Sequence, residues 1–198
     1  MSSIQPWKIL NSQLVLDNQW CKVRQDEVEL ANGAVISDFF VNVRPDIVLV
    51  MAVTPHQEIV FVRQYRHGVR EILLELPGGS CNTPTEDSLT TATRELEEET
   101  GYVAERMVQL ATLYDNPVKD TNKIHLFMAE NARPSGTQQL DATEEIEIVL
   151  VPIEEVLQRI STGEICVCGT ITALFLGLNV LLERPTLPIT PSPNSHFL

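Results

Sequence analysis

Positive charge is what this chain has least of. Fourteen Lys and Arg stand against 27 Asp and Glu in 198 residues, a formal net charge of −13. That balance excludes a protein that tracks nucleic-acid phosphates, which needs a basic surface. It still allows an anionic small molecule, provided bound cations and a few arginines supply local positive charge. Cysteine is scarce too: Cys21, Cys81, Cys166 and Cys168 form no C-x2-C pair and no framework of a small secreted disulfide domain. Reduced thiols in a cytoplasmic protein are expected, and Cys166 with Cys168 lacks the second pair that a metal site would need. No run of 18 apolar residues occurs, and residues 1–20 lack a basic start followed by an apolar core. Neither a membrane span nor a signal peptide is expected.

What is present is an ordinary globular composition, 43% hydrophobic and 21% charged, in a chain long enough to bury a core. The stretch from Gly78 to Tyr102, GGSCNTPTEDSLTTATRELEEETGY, carries the densest chemistry. Thr83-Pro84-Thr85-Glu86 has the form of a capping box, with Thr83 as N-cap and Pro84 at the first helical position. Leu89, Ala92 and Leu96 share one face of the helix that follows, and Gly101 stands where a left-handed C-cap would. Near its end, Glu95 and Glu99 project within about 40° of each other, Glu98 flanks them and Glu97 points away. Like charges four apart repel, and carboxylates in a last turn also face the negative end of the helix dipole. Two readings follow: a solvated acidic face, or a shell for a hard divalent cation, Mg²⁺ foremost.

The same stretch resembles the Nudix box of the Nudix hydrolases, G-x5-E-x7-R-E-U-x-E-E-x-G-U with U bulky and apolar. Glu86, Arg94-Glu95-Leu96, Glu98-Glu99 and Gly101-Tyr102 all fall in register, while six residues rather than five separate Gly79 from Glu86. Upstream, Arg63-Gln64-Tyr65-Arg66 and Glu75-Leu76-Pro77-Gly78-Gly79 look like the ADP-ribose and nucleoside-diphosphate-sugar pyrophosphatase branch, as does Pro117, sixteen residues past Gly101. The resemblance implies a fold, an α/β/α sandwich around a mixed sheet, preceded by a small N-terminal antiparallel β-module that packs across a dimer partner. The implied metal shell is Glu95, Glu98 and Glu99 with a backbone carbonyl near Gly78, for Mg²⁺ with Mn²⁺ as substitute. Arg94 would orient a carboxylate of the box, and Glu86 would hold the long loop onto the helix. Glu144, with Glu145 next, best matches the late-loop carboxylate that closes over the metals as base or ligand.

In chain order, residues 1–46 read as the β-module, 47–183 as the catalytic domain and 184–198 as a disordered tail rich in proline and serine. Trp7, Trp20, Phe39 and Phe40 are either core or interface aromatics or platforms for a base, with Trp20 the foremost candidate for substrate contact. Ile47–Val53 and Ile59–Val62 are continuous apolar runs, hence buried strands. Arg63 and Arg66 are candidate phosphate or ribose anchors, able to reach one diphosphate only if the strand ends between them; pairing with acidic neighbours is the other reading. Residues 115–122 suit a substrate loop, 130–143 a polar flexible loop, and 146–151 an edge strand with Glu147 facing solvent. Ile153, Val156, Leu157 and Ile160 make a helical stripe, and Thr170–Leu182 a helix buried nearly all round.

The expected reaction is Mg²⁺-dependent hydrolysis of the diphosphate linkage of ADP-ribose to AMP and ribose 5-phosphate by a cytoplasmic homodimer. Other Nudix substrates, such as a nucleoside triphosphate, a dinucleoside polyphosphate or another sugar nucleotide, are rivals. A non-catalytic nucleotide sensor is a third, although a sensor has no need of the repelling cluster.

Overall fold

Three alternating strands open the structure, a computed structural model that describes residues 4–81, 86–141 and 143–183. They are β1 (Lys8–Asp17), β2 (Lys22–Glu29) and β3 (Val35–Asn42), paired antiparallel in the order β1-β2-β3. Gly33, at φ 81°, supplies the left-handed residue that the β2–β3 turn requires. Every residue of β1 is exposed, so this module covers little of its own apolar surface.

The second sheet has six strands: β4 (Ile47–Val53), β5 (Glu58–Arg66), β6 (Glu71–Glu75), β8 (Arg106–Tyr114), β9 (Lys123–Glu130) and β11 (Ile146–Pro152). Its order is β11-β5-β4-β9-β8, with β6 also paired to β5. β4 and β9 run parallel and the other neighbours antiparallel, a mixed sheet. Between these come the two-residue strands β7 (Tyr102–Val103) and β10 (Arg133–Pro134), which pair with each other.

Helix α1 (Ser88–Thr100) covers one face of the large sheet, and α2 (Ile153–Ser161) with α3 (Cys168–Glu183) covers the other. Period two divides the strands between them. Val48, Val50, Ala52, Val60, Phe127 and Ala129 pack with Ala92 and Leu96 of α1. Met51, Phe61, Leu126 and Met128 point the opposite way, toward Val156, Ala173 and Leu174. Burial on both faces is why the strand sequences read as unbroken apolar runs. The architecture is the expected α/β/α sandwich.

Local expectations fare unevenly. α1 begins at Ser88, with the Asp87 carboxylate accepting from Thr90 N at 2.8 Å as its N-cap; Thr83 and Pro84, expected there, lie outside the described residues. Leu89 is 48% exposed and does not join Ala92 and Leu96 in the core. Only Thr170, Ala173, Leu174 and Gly177 of α3 are buried, since an outer-layer helix has one covered side; Phe175 and Leu182 are exposed. The segment expected to be a flexible loop at 130–143 instead contributes β10 and then hydrogen-bonds along the end of α1. The tail, 184–198, lies outside the described residues. No described helix is long and apolar enough to cross a membrane.

Candidate active site

The buried stripe of α1 is Thr91, Ala92, Glu95, Leu96, Glu99 and Thr100. Two carboxylates therefore sit on the face that packs against the sheet, where apolar side chains would be the cheaper choice. Beneath them passes the segment Pro77–Cys81, which runs beside β4: Val50 N donates to Pro77 O, Val48 N to Gly79 O and Cys81 N to Asp46 O, at 2.8–2.9 Å. The approach leaves no room for a side chain at Gly78, and at Gly79 a side chain would displace that of Glu95. A Cβ on Gly78 would lie 2.1 Å from the carbonyl oxygen of Val48, and one on Gly79 would lie 2.4 Å from the carboxyl carbon of Glu95.

Gly78 N donates to Glu99 Oε2 at 2.8 Å. Burial nonetheless pushes the Glu99 pKa up to about 8, with the charges of Glu95 and Glu144 adding to the rise and Arg66 opposing it. Glu95 is also raised by burial, which the neighbouring Arg94 guanidinium only partly offsets. Arg94 is the hub of the cluster, 3.1 Å from Glu86, 2.8 Å from Glu95 and 2.7 Å from Glu98. These carboxylates, Glu86 first, hold it more firmly protonated than a free arginine. Through it Glu86, which precedes the helix, is fastened to the helix end.

The donor set suits a hard divalent cation: oxygen ligands only, and a buried acid short of positive charge. A finished coordination shell is not assembled, because among the described residues no three His, Cys, Asp or Glu side chains converge on one point. Glu95 and Glu98 both turn to Arg94 instead.

Other expected site residues divide by face and by edge. Even-numbered positions of β5 share the side of Val60, which packs toward α1, and odd-numbered ones share that of Phe61. Arg66 thus lies on the α1 side, 2.6 Å from the buried Glu75, and its charge bears on Glu99. β5 continues unbroken through Arg66, so Arg63 faces the other way and pairs with Glu147 at 2.9 Å. The structure does not bring Arg63 to the carboxylates. Glu144 and Glu145 are exposed, just before β11; the Glu144 charge acts on both Glu95 and Glu99.

Trp20 is 76% exposed in the β1–β2 turn and lines a cleft of about 530 Å³ with Lys22, Asn42, Arg44, Ile47 and Ser80. Ser80 follows directly on the glycine pair, while none of the box carboxylates lines this cleft. Pro117 belongs to the β8–β9 loop, which is pinned to the end of the module: Asn42 N donates to Lys119 O, and Arg44 lies 3.4 Å from both Asp115 and Asp120. Sequence reasoning missed Arg44, although an arginine just before a central strand in so cation-poor a chain was a signal. It also missed Gln138, whose amide donates to the main-chain oxygen of Glu99 at 2.7 Å; nothing local marks that contact.

Residues 43–165 match the NUDIX domain, and residues 7–42 match the nucleoside diphosphate sugar hydrolase N-terminal domain. The chain is 32% identical to a methanol dehydrogenase activator of Bacillus methanolicus, over 89% of this chain and 96% of the relative. It is also 32% identical to an ADP-ribose pyrophosphatase of Bacillus subtilis, over 80% of this chain and 85% of the relative. A crystal structure of an ADP compounds hydrolase has the same fold, with a TM-score of 0.81 at 23% identity, covering 92% of this chain and 97% of the other. Nudix hydrolases generally use divalent metals. The chain belongs to the Nudix family and is a hydrolase of its pyrophosphatase type.

Proposed function

We propose that this protein hydrolyses the diphosphate linkage of a nucleoside diphosphate sugar, ADP-ribose first, to AMP and ribose 5-phosphate with Mg²⁺. The observation that carries the reading is the pair of buried acids, Glu95 and Glu99, held under the glycine pair with Arg94 beside them. Buried carboxylates with raised pKa values are costly to keep and mark functional sites more often than structural ones. The names of relatives among the ADP-ribose pyrophosphatases support the substrate class.

Glu95, Glu98 and Glu99 would hold the cation, together with the Gly78 carbonyl. A bound divalent ion supplies charge neutralisation at the phosphate oxygens and a more acidic water. Arg94 pairs with both Glu98 and Glu95 and fastens them to Glu86. Glu144, or Glu145 beside it, would take the proton of the attacking water. Arg66 is the cation on the correct face for a phosphate oxygen, and Trp20 with Arg44 offers a plane and a charge for the nucleoside. The four free cysteines fit a cytoplasmic setting.

Product analysis with ADP-ribose and Mg²⁺, beside a nucleotide panel and Glu98→Gln, tests the reading. AMP formation, reduced at least ~10²-fold by the substitution, is expected. Cleavage of a different panel member would replace the substrate. Tight binding of ADP-ribose with no cleavage by the wild type would replace hydrolysis with sensing.

A further inference from the structure

A helix C-terminus leaves its last carbonyls unpaired and carries partial negative charge. α1 makes this worse, for Glu95, Glu97, Glu98 and Glu99 crowd its end and its last turn holds no basic residue. Donors have to come from elsewhere. Gly101 N serves Glu97 O at 2.7 Å, closing the left-handed cap. The rest come from the segment after β10. Ser135 N and Gly136 N serve Gly101 O at 3.0 and 3.2 Å, and Gln139 N serves Glu98 O at 2.8 Å. Gln138 Nε2 serves Glu99 O at 2.7 Å. Among the described residues that donate to these oxygens from outside the helix, Gln138 alone does so with a side chain.

Glu99 is thus held at two points, its carboxylate by Gly78 N and its carbonyl by Gln138. The same segment continues to Asp141, whose amide donates to the Glu144 carboxylate at 2.9 Å. Glu144 in turn presses electrostatically on Glu95 and Glu99. Gln138 stands where the helix that carries three acids meets the loop that carries the fourth.

We propose that Gln138 is a positioning residue for cation binding: it fixes the main chain at Glu98–Glu99 and ties to it the loop bearing Glu144, so that the four carboxylates are presented as one set. The proposal rests on the metal-dependent reading above. Its role is indirect, through Glu99 and Glu144, and needs no contact with substrate.

The test uses the full chain with Gln138→Met, similar in size but without a donor, and Gln138→Lys, which restores a donor and adds a cation favourable to a helix end. Mn²⁺ binding is titrated calorimetrically without substrate, beside kcat, KM and the melting temperature. Gln138→Met is expected to bind Mn²⁺ roughly tenfold more weakly, the change that ~1.4 kcal/mol produces. Its kcat should fall on the order of tenfold while KM for ADP-ribose stays within about twofold, and Gln138→Lys should recover both. Unchanged Mn²⁺ affinity in Gln138→Met overturns the proposal, as does a loss that Gln138→Lys does not restore at equal melting temperature. A wild type that binds Mn²⁺ yet cleaves no nucleotide defeats the hydrolysis reading, and the titrations still decide the role of Gln138. A wild type that binds no Mn²⁺ defeats both.

Discussion

The main-chain amide of Gly78 lies 2.8 Å from Oε2 of Glu99, and burial still holds the pKa of that carboxyl at about 8. An acid whose pKa is higher in the folded chain than in the unfolded one, 4.5, binds a proton on folding between those values. Its contribution to stability is complete below pH 4.5 and is lost as pH rises through about 8. Urea unfolding in chelator at pH 5, 6.5 and 8 is therefore expected to show stability falling by a few kcal/mol, at ~1.4 kcal/mol per pKa unit. Glu99→Gln should flatten that slope, and added Mg²⁺ should restore stability most at pH 8. Parallel pH profiles for the two proteins in chelator would contradict this environment for Glu99.

The glycine pair makes a sharper prediction, since its two members meet different atoms. A methyl on Gly79 meets the end of the Glu95 side chain, which can swing aside; a methyl on Gly78 meets the Val48 carbonyl, which cannot. Gly79→Ala should keep the fold, losing no more than ~1–2 kcal/mol, while activity falls on the order of 10²-fold because Glu95 is displaced. Gly78→Ala should lose stability first, by roughly 3 kcal/mol or more. Circular dichroism melts and turnover on the same preparations separate them. The reverse order of damage would refute the packing described.

β5 supplies a comparison of two arginines. Arg66 lies on the α1 side and Arg63 on the other, paired with Glu147. Arg66→Ala should raise KM for a diphosphate substrate about tenfold or more, as loss of a charged hydrogen bond implies. Arg63→Ala should leave KM within about twofold, an exposed ion pair being worth little. Steady-state kinetics that showed equal losses would mean that both arginines reach one substrate.

Those arginines also mark the limit of what the sequence made legible. Two carboxylates on the packed face of α1 can be read from the spacing of Glu95 and Glu99 with Ala92 and Leu96, because helical periodicity is local. The face of Arg63 cannot, for the residues before it are apolar on both sides and show no alternation to extend. Thr83-Pro84 and Asp87 both satisfy capping rules, and among the described residues it is Asp87 that meets a helix amide, so α1 begins later than the capping box implies. The Gln138 contact joins residues 39 apart, and a glutamine carries no local mark of its partner. The module, the mixed sheet and the Arg94 cluster followed from motif and pattern; the wrap of residues 135–139 around the helix end required the fold.

The last prediction concerns β1. Its residues are exposed on both faces, and Ile9, Leu10, Leu14, Val15 and Leu16 make it apolar. A long apolar edge strand left open is an adhesive surface, and stable proteins cover it. A second copy is the expected cover, which would place the β1–β2 turn bearing Trp20 close to the interface. Light scattering of the wild type should give twice the mass of one chain. Leu14→Lys with Ile9→Lys should give one chain mass, since burying two unpaired ammonium groups costs several kcal/mol. If Trp20 depends on the partner for its place, the monomer should also show a raised KM with Mn²⁺ affinity unchanged, because the carboxylates lie wholly within one chain. A wild type that runs as a monomer at micromolar concentration would leave β1 uncovered and remove the dimer from the account.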